Sequence, residues 1–467
     1  MTAPLQTAST PQGAHEAAVA RLLAQYRALP PGEPVRLAKS TTNLFRSRER
    51  NSRPGLDVSG LDRVLTVDPV QRTAVVQGMT TYEHLVDATL AHGLMPLVVP
   101  QLKTITLGGA VTGLGIEASS WRNGLPHESV RSVDVLTGDG RVVTATPDGP
   151  EAELFRAFPN SYGTLGYALL LTIDLEPVQP YVHVRHVRFS DLDALTDAIA
   201  RVVEDGSWDG EPVDFVDGVV FTATEAYLTL GSWAREAPYS NSYSGQQIYY
   251  RSLRERGEDW LRVRDYLWRW DTDWFWCSRA FGVQNPRVRR LVPKRYLRSD
   301  VYQKVVALEN RYHPMARIDA LKGRPARERV VQDVEIPVQR TAEFLRWFLD
   351  EVPIEPIWLC PLRLRRPAPT DGGQWPLYPL APGTTYVNVG FWSTVAIADG
   401  AQDGDVNRAI ERKVADTGGH KSLYSDAYYT PEQFWALYGE RAYRSAKDRY
   451  DGQGRLLDLY DKAVRRR

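Results

Sequence analysis

The sequence predicts an α+β fold of two or three packing units, and three observations carry that expectation. The chain has 467 residues, more than one small core accommodates when domains usually hold roughly 100–200 residues. Between Val35 and Pro177, short β-rich runs alternate with glycine turns and brief helical segments. Pro177 and Pro180 then interrupt the pattern, and a second succession of strand-like and helix-like segments follows.

Taken in order, His15–Ala28 places Val19, Leu22, Leu23 and Tyr26 at helical spacing, and Pro30–Pro31 stops the helix. Strands are predicted over Val64–Val67, Thr73–Val76, Val130–Leu136, Val142–Ala145 and Ala168–Leu175. A helix over Tyr82–His92 is closed by Gly93. Past the proline boundary come a strand (His183–Phe189), a helix (Leu192–Glu204) and strands over Val213–Thr222 and Ala226–Leu230. That order predicts a mixed sheet with helices on one face. Gln247–Asp300 is rich in arginine and tryptophan and is predicted helical; it holds 13 basic and 7 acidic residues. Strands return at Val330–Ile336, Ile357–Leu364 and Thr385–Phe391, and helices close the chain near Val406–Asp416, Pro431–Gly439 and Leu456–Val464. The expected division is an N-terminal helix (1–30), a first domain (31–177), a second domain (178–382) carrying the 247–300 insert, and a C-terminal segment (383–467).

Composition narrows the function. The 57 basic residues balance 57 acidic ones, so no global field recruits nucleic acid. Thirteen Trp and 23 Tyr suit the lining of a large apolar cavity, and equally an aromatic-rich core. Cys277 and Cys360 are the two cysteines, so no disulfide framework is expected and a reducing, cytoplasmic setting is. Met1–Gly13 carries no apolar leader, and no run approaches the ~20 apolar residues of a membrane span. Peripheral membrane contact stays open. No metal site is expected: His183 and His186 fall on opposite faces of an alternating strand, and no Cys/His cluster exists.

The most informative stretch is PQLKTITLGGAVTGLGIEASSWRNG, residues 100–124, with glycines at 108, 109, 113, 115 and 124. Such a run lets backbone approach a bulky ligand and turns N–H groups inward. Its spacing is neither the dinucleotide nor the phosphate-loop signature. Order adds weight. Upstream, the turn Ala38-Lys39-Ser40-Thr41-Thr42-Asn43 offers hydroxyls and a cation; downstream, Tyr162-Gly163-Thr164-Leu165-Gly166 leads into a strand ending in Glu176-Pro177.

These three parts in order resemble the FAD-binding domain of the vanillyl-alcohol-oxidase/p-cresol-methylhydroxylase (PCMH) type, which has two subdomains. The resemblance implies that Ala38–Asn43 and Thr106–Thr112, including Gly108 and Gly109, clasp the pyrophosphate. It places Gly113, Gly115 and Ser119 along the isoalloxazine and ribityl chain, and Gly163, Thr164 and Gly166 near the adenine. The usual His or Cys tether is missing from Ala38–Asn43 and Thr106–Gly124, so non-covalent FAD is expected, with His420 an open candidate. GIEASSWRNGLPHESV, PIEPIWLCPLRLR and SLYSDAYYTPEQFWALY look like stretches of Δ24-sterol reductases. LDVSGL, VVPQLKTITLGGAVTGLGIE, DYLWRWDTDWFWCSRAFG and HKSLYSDA look like the bacterial 10-methylene fatty-acyl reductases of tuberculostearic acid synthesis. Both imply reduction of an isolated lipid alkene, with NADPH as electron donor and, in the second case, a SAM-dependent methyltransferase as partner. A flavin alcohol or sugar oxidase of the same fold is the rival, as is a flavin-bearing subunit that mainly positions a partner.

An isolated alkene is a poor hydride acceptor, so a proton must arrive with the hydride, from an acid kept protonated in a dry pocket. Glu117, within the glycine-rich segment, is the first candidate; a structural carboxylate bonded to backbone accounts for it equally. Tyr424, Asp426, Tyr428 and Tyr429, with His420 and Lys421 before them, form a second cluster, which the resemblance brings to the flavin's reactive face. Core packing is the plainer account of any one tyrosine. Tyr386 and Asn388 are candidates to orient the ring. Trp268, Trp270, Trp274 and Trp276 are candidates for the wall of an acyl tunnel, or for cation–π packing on Arg269 or Arg279. Arg287, Arg289, Arg290, Lys294, Arg295 and Arg298 make either a solvated basic face or a patch for anionic headgroups.

Overall fold

The computed structural model describes residues 10–39, 45–46, 55–312, 325–365 and 375–465. The opening helix, Pro11–Ala28, begins earlier than the apolar spacing suggests. Thr10 caps it by accepting from the Gly13 N–H, and a proline occupies its first turn. Its buried face (Ala18, Leu22, Tyr26) packs on Val35, Leu56, Leu136 and Leu169. A six-stranded sheet follows. Its hydrogen-bonded order is Val64–Asp68, Thr73–Gln77, Tyr167–Pro177, Val130–Leu136 and Val142–Ala145, with Leu94–Pro96 also on Tyr167–Pro177. Tyr167–Pro177 alternates along most of its length, burying Ala168, Leu171 and Ile173 in the core beneath.

The second unit is an eight-stranded sheet in the order Glu258–Arg262, Tyr181–Phe189, Glu225–Ala234, Phe215–Thr222, Ile357–Leu362, Tyr386–Ala396, Arg327–Pro337, His420–Lys421. Every pairing in it is antiparallel. The α+β class holds, but the sheet expected to be mixed is not mixed, because its strands follow one another by hairpins and by returns of opposite sense. The division expected at residue 382 also runs through this sheet: Tyr386–Ala396 pairs on both sides with strands from before it. The insert expected to be helical contributes the edge strand Glu258–Arg262.

Alternation sorts the side chains of this sheet onto two faces. Val216, Val220, Val334, Ile336, Val389 and Phe391 enter one core with the helices Leu192–Asp205, Val338–Glu351 and Asp405–Asp416. Their neighbours along each strand (Phe215, Val219, Trp358, Tyr386) enter the core shared with the first unit. Asp217, Asp333, Glu335, Asn388 and Trp392 have the same parity as this second set, so the period of two aims them at the first unit. That geometry creates the site.

Candidate active site

A cavity of about 440 Å³ lies between the two units, with walls drawn from both. From the first unit come Arg36, Lys39, Gln101, Thr106, Gly108, Gly109, Thr112, Gly115, Tyr162, Gly163 and Gly166. The second sheet supplies Asp333, Trp358, Asn388 and Trp392, and loops and the C-terminal segment add Phe45, Trp274, Phe275, Tyr424 and Lys462.

The glycine-rich stretch contributes mainly by close packing. Thr106 caps the short helix Leu107–Thr112 by accepting from the Gly109 N–H at 3.2 Å, and Thr112 Oγ1 donates to the Gly108 carbonyl at 2.7 Å. A Cβ on Gly108 would lie 2.7 Å from the Gly78 carbonyl oxygen, and one on Gly115 would lie 2.6 Å from Pro126 Cγ. Gly108 lets backbone lie on backbone and Gly115 lets the chain lie on two proline rings, and so they set the cavity floor. At the opposite wall, Trp274 and Phe275 are consecutive aromatics with φ of 47° and 60°. Bulky residues rarely adopt this left-handed backbone. It turns both rings: Trp274 stacks on Phe45 at 5.5 Å and Phe275 on Trp392 at 4.3 Å.

The acid–base groups converge on Asp333. Its Oδ1 accepts from Asn388 Nδ2 at 2.9 Å, and Tyr424 Oη accepts from Trp392 Nε1 at 2.9 Å. Burial pushes the Asp333 carboxyl up to about 6, against the hydrogen bonds from Asn388 and Tyr424. Burial, reinforced by the charge and hydrogen bond of Asp333, holds the Tyr424 phenol well above its ordinary value. A protonated hydroxyl and a carboxyl that titrates near neutrality thus share one wall.

Glu117 sits elsewhere. It is absent from the cavity lining, and its Oε1 accepts from Arg269 Nη2 at 3.1 Å. The same nitrogen reaches Asp217 Oδ2 at 2.8 Å, which also accepts from Trp270 Nε1 and Trp358 Nε1. Burial raises Glu117 to about 7, opposed by Arg269 and assisted by Asp217. The cluster touches the cavity through Trp358 alone among these contacts. It is a buried ionic joint between the glycine-rich segment, the sheet and the aromatic insert.

The other predicted residues divide in the same way. Lys39 lines the cavity, Ala38 ends a two-residue strand beside it, and Ser40, Thr41, Thr42 and Asn43 lie outside the described residues. Gly113, Ser119 and Thr164 are not on the lining: Ser119 Oγ donates to the Leu97 carbonyl and Thr164 Oγ1 to the Ser161 carbonyl. Asp426 is paired with Arg329 at 3.0 Å, and the Tyr428 N–H donates to Glu411. Neither lines the cavity. His420 is held off it too, 3.4 Å from Glu335 Oε2 and edge-on to Tyr378, with burial lowering its pKa to about 3. Of the four tryptophans, Trp274 reaches the cavity; Trp268, Trp270 and Trp276 are core. Asp333, Trp392, Phe275, Arg36 and Lys462 are cavity residues that the sequence reading missed. Asp333 lies opposite Gly390, one step along the same face from the Glu335–Asn388 pair, a register that only the folded sheet reveals.

Residues 12–146 match the family described as FAD binding domain. The chain is 25% identical over 455 residues to a Delta(24)-sterol reductase of Arabidopsis thaliana, covering 88% of this chain and 77% of that one. The human Delta(24)-sterol reductase is 25% identical over 413 residues, with 85% and 75% covered. A decaprenylphosphoryl-beta-D-ribose oxidase of Mycolicibacterium smegmatis is 33% identical over 125 residues, 27% of each chain. The chain is an FAD-binding oxidoreductase related to the Delta(24)-sterol reductases.

The lining residues fit such a cofactor. Arg36, Lys39 and Lys462 bring cationic side chains suited to a diphosphate, and Gln101 Nε2 and Asn388 Oδ1 are buried without a protein partner. An amide donor and an amide acceptor of this kind match the polar edge of a flavin ring. No histidine or cysteine stands among the described residues of the lining.

Proposed function

We propose that this chain is a reductase that uses non-covalently bound FAD, with NADPH as electron donor, to saturate an isolated carbon–carbon double bond in a lipid. The observation that supports it is the Asp333–Tyr424–Trp392 arrangement on an aromatic cavity wall, an acid at the place where such a reduction needs one. When bound, FAD supplies the hydride, and Arg36, Lys39, Lys462 and the Thr106–Thr112 segment would hold its phosphates.

The chain's own residues supply the rest. Tyr424 holds its proton at Oη at all ordinary pH values and delivers it to the less substituted alkene carbon. The Trp392 N–H, 2.9 Å away, stabilises the charge left on that oxygen. Asp333 returns the proton. Positive character on the more substituted carbon faces the aromatic rings of Trp274, Phe275 and Trp392, whose negative faces favour it. Those rings and Phe45 also exclude water.

For the substrate we favour a 10-methylene acyl chain of a phospholipid, giving the 10-methyl product, on the strength of the motif resemblance. Identity at 25% across most of the chain supports a sterol side-chain alkene as the second reading. Anaerobic turnover of 10-methylene-stearoyl lipid with NADPH, read by mass spectrometry, tests the choice. A mass gain of two hydrogens is expected. Turnover of a Δ24-sterol instead moves the assignment to the second reading, and flavin bleaching by an alcohol or sugar, without alkene reduction, overturns both. Alkene reduction by the purified chain also excludes a subunit that merely positions a methyltransferase.

A further inference from the structure

We propose that the segment 286–296, PRVRRLVPKRY, docks this protein on an anionic lipid surface. Its short helix Pro286–Leu291 is pinned from below by Arg289, which is buried and donates to Asp273 at 2.6 and 2.9 Å and to the Gly245 carbonyl at 2.6 Å. With position 289 inward, the remainder of the helix faces out. Leu291 is 84% exposed, Val288 41% and the following Tyr296 46%. Three large apolar side chains so close in sequence are not a scatter of single exposures.

Around them Arg287, Arg290, Lys294 and Arg295 are exposed, and no acidic residue occurs between 286 and 296. Arg298 does not belong to this patch, because it is turned to Glu83 and Asp300. Apolar tips ringed by basic side chains are the chemistry of an interfacial anchor. The tips enter the acyl boundary while the cations meet headgroup phosphates. A nucleic acid would satisfy the cations but leave Leu291 in water. A cavity of about 430 Å³ adjoins the helix and is lined by Arg251, Arg256 and Arg290 as well as Glu255, room for a headgroup beside the patch. The Arg289–Asp273 pair also ties the docking helix to the residue before Trp274 on the cavity wall. Docking would therefore hold the aromatic wall close to the surface from which an acyl chain arrives.

The test is co-sedimentation of the flavin-loaded protein with vesicles of phosphatidylcholine alone or mixed with phosphatidylglycerol. The parent is expected to bind the mixed vesicles. Each basic residue neutralised (R287Q, R290Q, K294Q, R295Q) should weaken binding about fivefold, the equivalent of ~1 kcal/mol per charge. Leu291→Asn should weaken it about tenfold with the charges intact. Unchanged flavin absorbance and thermal unfolding show that the variants are folded. No binding by the parent, equal binding to both vesicle types, or variants that bind like the parent would overturn the proposal. So would gel filtration in which Leu291→Asn dissolves a dimer while the parent ignores vesicles. Binding is read without turnover, so the outcome is independent of the alkene reading.

Discussion

Burial sets the proton inventory of the cavity at the level of single residues. Asp333 is raised from the ordinary carboxylate range to about 6. The folded chain therefore binds this proton more tightly than the unfolded one. Its stabilising contribution is complete below the unfolded value and is lost as pH rises through about 6. Asp333→Asn removes that loss, so the variant's melting temperature relative to the parent should rise between about pH 4 and about pH 8. Activity has the same sign: if protonated Asp333 resupplies Tyr424, steady-state alkene reduction (kcat) falls above about pH 6, and the inflection disappears in Asp333→Asn. Tyr424→Phe should lower the same rate constant by about 10²- to 10⁴-fold, with the bound-flavin spectrum intact. A Tyr424→Phe enzyme at full rate would remove this residue from the chemistry.

The same physics makes Glu117 a different kind of residue at the scale of elements. The Glu117–Arg269–Asp217 cluster joins the glycine-rich segment, the aromatic insert and the sheet, with Arg269 buried. Arg269→Met leaves two buried carboxylates without their cation and should cost about 3–5 kcal/mol in urea unfolding. Glu117→Gln keeps Arg269 paired with Asp217 and should cost markedly less. If Glu117→Gln instead abolished turnover in a fully folded, flavin-loaded protein, the acid would have to be reassigned. The C-terminal helices are a second joint. Lys447 Nζ donates to the Thr164 carbonyl at 2.9 Å and Lys462 Nζ to the Tyr162 carbonyl at 2.6 Å. Both hold the turn that bears Gly163 and Gly166. Lys462→Met should loosen that turn and remove a cation from the cavity, raising the FAD dissociation constant about tenfold, as measured by flavin fluorescence on dilution.

For the whole molecule, the cavity exists because two cores close on each other, and no helix among the described residues is long and apolar enough to cross a membrane. The flavin should leave in the supernatant on acid precipitation, since the described lining holds no His or Cys to tether it; yellow colour retained in the pellet would contradict this. Much of the architecture was legible in the chain. β-rich composition between glycine turns marked Val130–Leu136 and Val142–Ala145 to the residue, and the turns at 106–115 and 163–166 announced the cavity floor, because turn chemistry and strand composition are local properties. The helices Val338–Glu351 and Glu440–Tyr450 went unpredicted, the first although Ala342, Leu345 and Phe348 are spaced to share a face. Asp333 was missed for a deeper reason. In VVQDVEIP the acids alternate with valine and isoleucine, which reads as a strand with a solvated face. By itself the sequence determined the α+β class and the glycine floor, both written in neighbouring residues. The tertiary structure alone decided that the polar face of Arg327–Pro337 meets the first unit instead of water. Exclusion of water there makes Asp333 and Tyr424 an acid pair, and ion pairing elsewhere makes Glu117 a strut.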